Sequence, residues 1–180
     1  MSKLKVLVIG VFLSLILIGC SNSDIDSVKN GVMNFNKTIT VGEAFDNWND
    51  CEDSKWDAFE TDNHIHVVEF TCEKKGVKEY MNKVKSFLPK KEQAKASYLD
   101  IKSAKEIFQW TINKDNTFQI DNVQTETVWS DGKKYSASQD PMEQLESVYN
   151  NKITFDTSGL NKMTVGQIAY VLKMIKALAK

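Results

Sequence analysis

The stretch HIHVVEFTC, residues 64–72, decides the fold. It is rich in β-branched and aromatic side chains, which favour a strand. Because successive side chains of a strand point to opposite faces, alternate residues of the stretch share one face, namely His64, His66, Val68, Phe70 and Cys72. The segment therefore predicts a strand that covers a core and directs Cys72 towards it.

Strands are also predicted on both sides of this segment. Residues 55–61 precede it and carry Trp and Phe. Further along, residues 104–113 alternate apolar and polar side chains, and residues 117–129 return after a polar turn. The apolar phase of the returning segment shifts near Asp121-Asn122, which predicts a bulge. Together these segments predict a four-stranded antiparallel sheet.

Two helices are predicted before the sheet. Thr40 and Glu43 have the spacing of a capping box, in which each side chain accepts a hydrogen bond from the backbone of the other residue. One apolar stripe follows at helical spacing: Val41, Ala44, Phe45 and Trp48. A shorter helix is predicted over residues 23–29.

More helices are predicted after the first strand pair and at the end of the chain. Residues 77–88 form a lysine-rich amphipathic pattern, Asp140-Pro141 is typical of a helix start, and Thr164 begins a last helix. The stripes of the two C-terminal helices are Met142, Leu145, Val148 and Tyr149, then Val165, Ile168, Leu172 and Ile175. The sequence thus predicts an α+β fold, with a helix pair on a four-stranded antiparallel sheet and additional C-terminal helices, as one domain over residues 28–180.

The first residues have the layout of a secretory signal. Lys3 and Lys5 precede an apolar run over residues 6–18, which is shorter than the roughly 20 residues of a membrane-spanning helix. The layout predicts a signal peptide over residues 1–19.

The run ends in Leu17-Ile18-Gly19-Cys20, which resembles the lipobox of bacterial lipoproteins. The resemblance implies that the Cys20 thiol receives diacylglycerol, that the chain is cut before Cys20, and that residues 20–27 form a lipidated tether. Ser21 then favours the outer membrane over the inner one if the host is Gram-negative. The alternative is an ordinary signal peptide followed by an unrelated cysteine.

Two cysteines remain once Cys20 carries lipid. Exported proteins fold under oxidising conditions, so we predict a disulfide between Cys51 and Cys72, worth about 3 kcal/mol through loop entropy. The alternatives are free thiols, or metal ligands together with His64 and His66. No C-x-x-C or H-x-x-x-H spacing favours a metal, and none is predicted.

Residues 28–72 look like a module of uncharacterised bacterial lipoproteins. The similar pieces are residues 28–31, 40–45, 55–56 and 67–71, and the resemblance implies no activity. The order of two helices and four strands is also similar to one half of the β-lactamase-inhibitor-protein fold, which is an analogy of architecture.

A segment near the start of the domain loosely resembles a segment near its end. VKNGVMNFN from Val28 recurs as VYNNKITFD from Val148, and Thr-Val-Gly followed by Glu or Gln comes after each copy. The echo is either a partial duplication or two helix starts that use the same capping chemistry.

Residues with catalytic chemistry form no recognisable motif. G-x-S-x-G, H-E-x-x-H and phosphate-binding glycine patterns are absent from the sequence, so no catalytic residue and no cofactor is predicted. The four tryptophans lie on core-facing phases, at positions 48, 56, 110 and 129. The lysine-rich segment of residues 73–91 also has acids in or beside it, namely Glu73, Glu79 and Glu92, which is typical of a solvated helix face.

Charge excludes one class of partner. The chain has 23 basic residues, all Lys, against 24 acids, so nucleic-acid binding is not expected. The sequence predicts a non-enzymatic lipoprotein, lipid-anchored on the extracytoplasmic side of the cell membrane, that binds a protein of the envelope. Two alternatives remain open: an inhibitor of an extracytoplasmic enzyme, and a carrier of a small ligand or metal.

Overall fold

The computed structural model describes residues 21–179. In chain order its elements are α1 (Ser21–Lys29), α2 (Val41–Asp46), β1 (Cys51–Glu60), β2 (His66–Lys74), α3 (Val77–Ser86), α4 (Lys90–Gln93), β3 (Ile101–Ile112), β4 (Phe118–Trp129), β5 (Lys134–Ser138), α5 (Pro141–Tyr149) and α6 (Val165–Leu178). Short 3₁₀ turns lie at Ser97–Leu99 and Leu160–Lys162. The architecture is α+β, as predicted.

The sheet is open and antiparallel, with the strand order β1-β2-β3-β4-β5. It has five strands, whereas the sequence predicted four. The predicted bulge is confirmed, because Gln109 pairs with Asn122 while Trp110 pairs with Ile120, which leaves Asp121 as the extra residue.

The strands define two ends of the sheet. At the α1 end, Glu60 at the end of β1 pairs with His66 at the start of β2, and β4 begins with Phe118. The α6 end holds Lys74 and Ile101, where β2 ends and β3 begins. Both ends carry helices on the same face of the sheet.

A first apolar cluster lies between this inner face and the helices α1, α2 and α5. Phe45 of α2 is at its centre, because its ring lies within 5.1 Å of the rings of Phe70, Phe108 and Trp110. The predicted α2 stripe is confirmed as core: Val41, Ala44, Phe45 and Trp48 are all buried.

A second cluster lies at the α6 end. It joins Val77, Met81 and Val84 of α3 to the strand residues Ile101 and Trp129, and Ile175 of α6 covers it. Of the apolar residues that the sequence predicted on the buried side of α6, Ile175 is buried but Val165 is 85% exposed. Met142, predicted in the α5 stripe, is also exposed. Each lies in the first turn of its helix, beyond the part that the clusters cover.

The Cys51–Cys72 disulfide is present, with 5.2 Å between the two Cα atoms. It joins β1 to β2 beneath α2, and Cys72 is fully buried on the face that carries Phe70. The predicted orientation of Cys72 into the core is therefore confirmed.

Some predicted boundaries are wrong. Residues 20–27 were predicted as a lipidated tether, and the described part of this segment, from Ser21, is helical and belongs to α1. His64 was predicted in a strand, but it lies in the turn before β2 with a φ of 59°. β1 was predicted over residues 55–61, but it begins earlier, at Cys51, and ends at Glu60. The predicted lipidation site, Cys20, lies outside the described residues.

β1 is an edge strand whose acidic side chains bind its own backbone. The Asp53 carboxylate accepts a hydrogen bond from the Ser54 N–H, and the Asp57 carboxylate accepts one from the Ala58 N–H, each at 3.0 Å.

Within residues 21–179, no helix has the length and apolar character needed to cross a bilayer.

Candidate functional site

Three charged side chains are buried together between the two apolar clusters. Lys74 Nζ lies 2.7 Å from Asp50 Oδ2 and 2.5 Å from Glu106 Oε2. The side chains of Lys74, Asp50 and Glu106 are only 4%, 0% and 2% exposed. We call these three residues the charged centre.

The sheet places two members of the charged centre. Lys74 follows Phe70 and Cys72 on the inner face of β2, and Glu106 precedes Phe108 on the inner face of β3. The disulfide adjoins both, because Cys51 pairs with Lys74 and Cys72 pairs with Glu106 across the strands. The charged centre and the disulfide therefore form one structural unit.

The loop between α5 and α6 closes the charged centre from the other side. The Thr154 N–H donates to Asp50 Oδ1 at 2.9 Å, and its hydroxyl donates to Asp50 Oδ2 at 2.6 Å. Lys74 Nζ lies 3.8 Å from the centroid of the Trp48 ring, whose N–H donates to the carbonyl oxygen of Lys152. Asp50 thus fixes this loop to the sheet.

Of the three residues of the charged centre, Glu106 has the fewest contacts to offset the cost of burying its carboxylate. Its Oε1 atom is buried and has no hydrogen-bond partner among the described residues. Burial raises the pKa of the Glu106 carboxyl, and the Lys74 ammonium opposes that shift. Burying an ionised carboxylate is costly unless all its lone pairs are satisfied.

The sequence analysis missed the charged centre, although a signal for it was present. Lys74 has the same parity along β2 as Phe70, and Glu106 has the same parity along β3 as Phe108. A charged residue on the inward phase of a strand needs an opposite charge nearby. Two strands with opposite charges on that phase are a sign of such a pair.

The charged centre has the residue types of acid–base chemistry but not the access. Lys74 donates to both carboxylates, and Thr154 occupies the remaining side of Asp50. Since the three side chains are almost completely buried, a substrate could not contact them in this structure. The arrangement is suited to joining the two clusters.

The two histidines lie at the α1 end and each contacts carboxylates. His64 Nδ1 contacts Glu60, and His66 Nδ1 lies 2.9 Å from Asp24 Oδ2. The hydrogen bond to Asp24 raises the pKa of His66. Among residues 21–179, no group of three His, Cys, Asp or Glu side chains is placed to hold a metal ion.

The tryptophans belong to the core, as predicted. Trp48, Trp110 and Trp129 are buried, and Trp56 packs against the first cluster. None of these three buried indoles is open to a ligand.

The outer face of the sheet, away from the two apolar clusters, carries many polar side chains. Its side chains bind one another: Gln109 Nε2 donates to Glu69 at 2.7 Å, Asn122 donates to Gln109 at 3.1 Å, and Lys105 lies 3.3 Å from Glu126. Polar groups that are already paired gain little from a new partner.

Comparisons of this chain with protein-family models, with curated proteins and with solved structures give no match.

Proposed function

We propose that the protein is a lipid-anchored envelope lipoprotein that acts by binding another protein and not by catalysis. The observation that carries the proposal is the sequence Leu17-Ile18-Gly19-Cys20 directly after a basic start and a short apolar run. Two or more acyl chains on Cys20 would hold the chain stably at a bilayer on the extracytoplasmic side.

Two features of the described residues support this proposal. Ser21, the residue after Cys20, is already part of α1, so the described part of the fold lies directly next to the position that would carry lipid. The Cys51–Cys72 disulfide is the kind of bond that persists in an oxidising compartment. Both features agree with an exported domain held close to its anchor.

The state of the polar groups supports binding over catalysis. The charged centre is buried and its members bind one another. Both histidines use Nδ1 to contact carboxylates. General acid–base catalysis needs a titratable group that can contact the substrate, and the buried charged centre cannot do so, which supports a binding role.

Labelled palmitate tests the anchor. We expect the wild-type protein to incorporate the label and to sediment with membranes, and Cys20→Ser to do neither. The matched control is the double variant Cys51→Ser/Cys72→Ser, which removes the other two thiols and should still incorporate the label. Membrane association of Cys20→Ser equal to that of the wild type would overturn the proposal.

The sorting expectation has a separate arm. In a Gram-negative host, we expect the wild-type protein in the outer-membrane fraction and Ser21→Asp in the inner-membrane fraction. Density-gradient separation of the two membranes measures this. Equal distribution of the two proteins would contradict a sorting role for Ser21.

A further inference from the structure

α6 has more apolar surface than the fold covers. Ile175 packs into the second cluster, with Val171 and Leu172 partly buried beside it. Outside this buried side, Tyr170, Met174 and Leu178 remain 64%, 47% and 38% exposed. These three residues are four apart, so they form one continuous stripe along the helix. We call this stripe the α6 stripe.

A comparison with α2 shows that α6 is much less covered by the rest of the fold. α2 and α6 begin with the same capping box, formed by Thr40 with Glu43 and by Thr164 with Gln167. A valine follows the capping threonine in each helix. Val41 is completely buried, whereas Val165 is 85% exposed. α2 is covered by the sheet, while α6 is covered on one side only.

The charges of α6 are all positive. Lys173 and Lys176 are its only charged residues, and Asp156 is the last acid in the sequence. Both lysines are exposed, but only Lys173 lies next to the α6 stripe, whereas Lys176 lies on the other side of the helix, with its Nζ 5.8 Å from the centroid of the Tyr98 ring. The helix is therefore complementary to an apolar surface with acidic residues beside it. A second copy of α6 would bring two positively charged helices together, which disfavours self-association.

The position of α6 makes the anchoring bilayer an unsuitable occupant; this step rests on the proposed function. Asp24, in the first turn of α1, contacts His66 at the α1 end of the sheet. α6 packs at the opposite end, and β2 between them spans about 30 Å. A bilayer that holds Cys20, directly before α1, would thus lie at the far end from α6.

We propose that the α6 stripe is the docking site for an acidic amphipathic helix of a partner protein. Its apolar residues would cover Tyr170, Met174 and Leu178, and its carboxylates would lie beside Lys173. Docking of an amphipathic helix against an apolar face is a common mode of peptide recognition.

A peptide-binding measurement on the full lipidated protein in phosphatidylcholine vesicles tests this proposal. The probes are two fluorescent synthetic helices with leucines on one face, one with glutamates and one with lysines on the other face. We expect saturable binding of the glutamate helix, weakened by salt, and no binding of the lysine helix. Equal binding of both helices, or no binding of the glutamate helix, would overturn the proposal.

Two methionines provide a matched pair for the same measurement. Met174 is 47% exposed in the α6 stripe, and Met142 is 46% exposed at the start of α5, beside Phe118 at the α1 end. We expect Met174→Asp to weaken binding of the glutamate helix about ten-fold or more, and Met142→Asp to leave it unchanged. Lys173→Glu, which keeps the stripe intact, should also weaken it. Equal effects of the two methionine variants would overturn the proposal.

Other occupants give different results. Wild-type self-association that Met174→Asp abolishes would assign the stripe to a second copy. Quenching of a fluorophore at position 174 by quencher-bearing lipid would assign it to the membrane. Either result overturns the proposal. Palmitate incorporation, measured on the same preparation, separates failure of the anchor from failure of the docking site.

Discussion

At the scale of single residues, Glu106 determines how the core responds to pH. Its carboxyl is buried, and one oxygen lacks a hydrogen-bond partner among the described residues. Its pKa is raised in the folded protein, so the folded state holds the proton more tightly than the unfolded state. The stability this gives is present below the ordinary pKa and is lost as pH rises through the folded value.

We therefore expect Glu106→Gln to gain stability relative to wild type as pH rises from about 4 to about 8. Glutamine keeps an acceptor for Lys74 and carries no charge, so the Lys74–Asp50 pair remains. Urea unfolding at several pH values measures the difference. Glu52→Gln, on an exposed residue of β1, is the control and should show no such trend. A constant difference for Glu106→Gln would contradict the argument.

His66 is the second residue with a pH response. Its hydrogen bond to Asp24 raises its pKa above 6.5. The stability from this contact is present below about 6.5 and is lost as pH rises through the folded pKa. We expect the His66 ring signals in an NMR titration to have a midpoint above that of a free histidine. Asp24→Asn should lower the midpoint, while Asp26→Asn, on an exposed residue, should not.

At the scale of elements, alternation and capping predicted most of the fold. Long strands with apolar alternation, such as residues 64–72 and 104–113, were found because one face is buried. β5 was missed because its sequence, KYSAS, pairs only with β4 at an edge and offers Tyr135 and Ala137 as weak apolar signals. The first residues of β1 were missed for the same reason, since Glu52, Asp53 and Ser54 are polar and exposed.

The charged centre could be predicted only in part from the sequence. Parity along the strands could indicate that Lys74 and Glu106 face inwards. It could not bring in Asp50 and Thr154, which are 104 residues apart in sequence and meet only through tertiary packing. Exposure of the α6 stripe was equally hidden, because a helical pattern does not say which of two apolar stripes the core covers.

The two capped helices provide a paired test of environment. Val41→Asp places a charge in the first cluster, and we expect a loss of about 3 kcal/mol or more in the free energy of unfolding. Val165→Asp changes an exposed side chain and should alter it by no more than about 0.5 kcal/mol. Chemical denaturation of both variants measures the difference. Similar losses would mean that Val165 is covered in solution.

At the scale of the whole molecule, the two apolar clusters are joined where the disulfide and the charged centre meet. The disulfide closes a loop of 21 residues between β1 and β2. In the chain-entropy account, removing it enlarges the unfolded ensemble. Because Cys51 and Cys72 pair across the sheet with Lys74 and Glu106, loss of the bond also affects the support of the charged centre.

We expect Cys51→Ser/Cys72→Ser to lose about 3 kcal/mol of stability. Reductant should lower the urea midpoint of the wild type by a similar amount and leave that of the variant unchanged. Alkylation before and after reduction provides the control, since these two thiols should react only after reduction. Two reactive thiols in the unreduced protein would refute the bond.

The acidic edge of β1 would affect how neighbouring copies interact if they are anchored to a membrane. Anchored molecules diffuse in two dimensions and meet in parallel orientation far more often than free ones, so exposed strand edges would join into continuous ribbons. Asp53 and Asp57 occupy backbone donors of that strand and add negative charge. If the protein is anchored as proposed, neighbouring copies could therefore become dense on a bilayer without polymerising side by side.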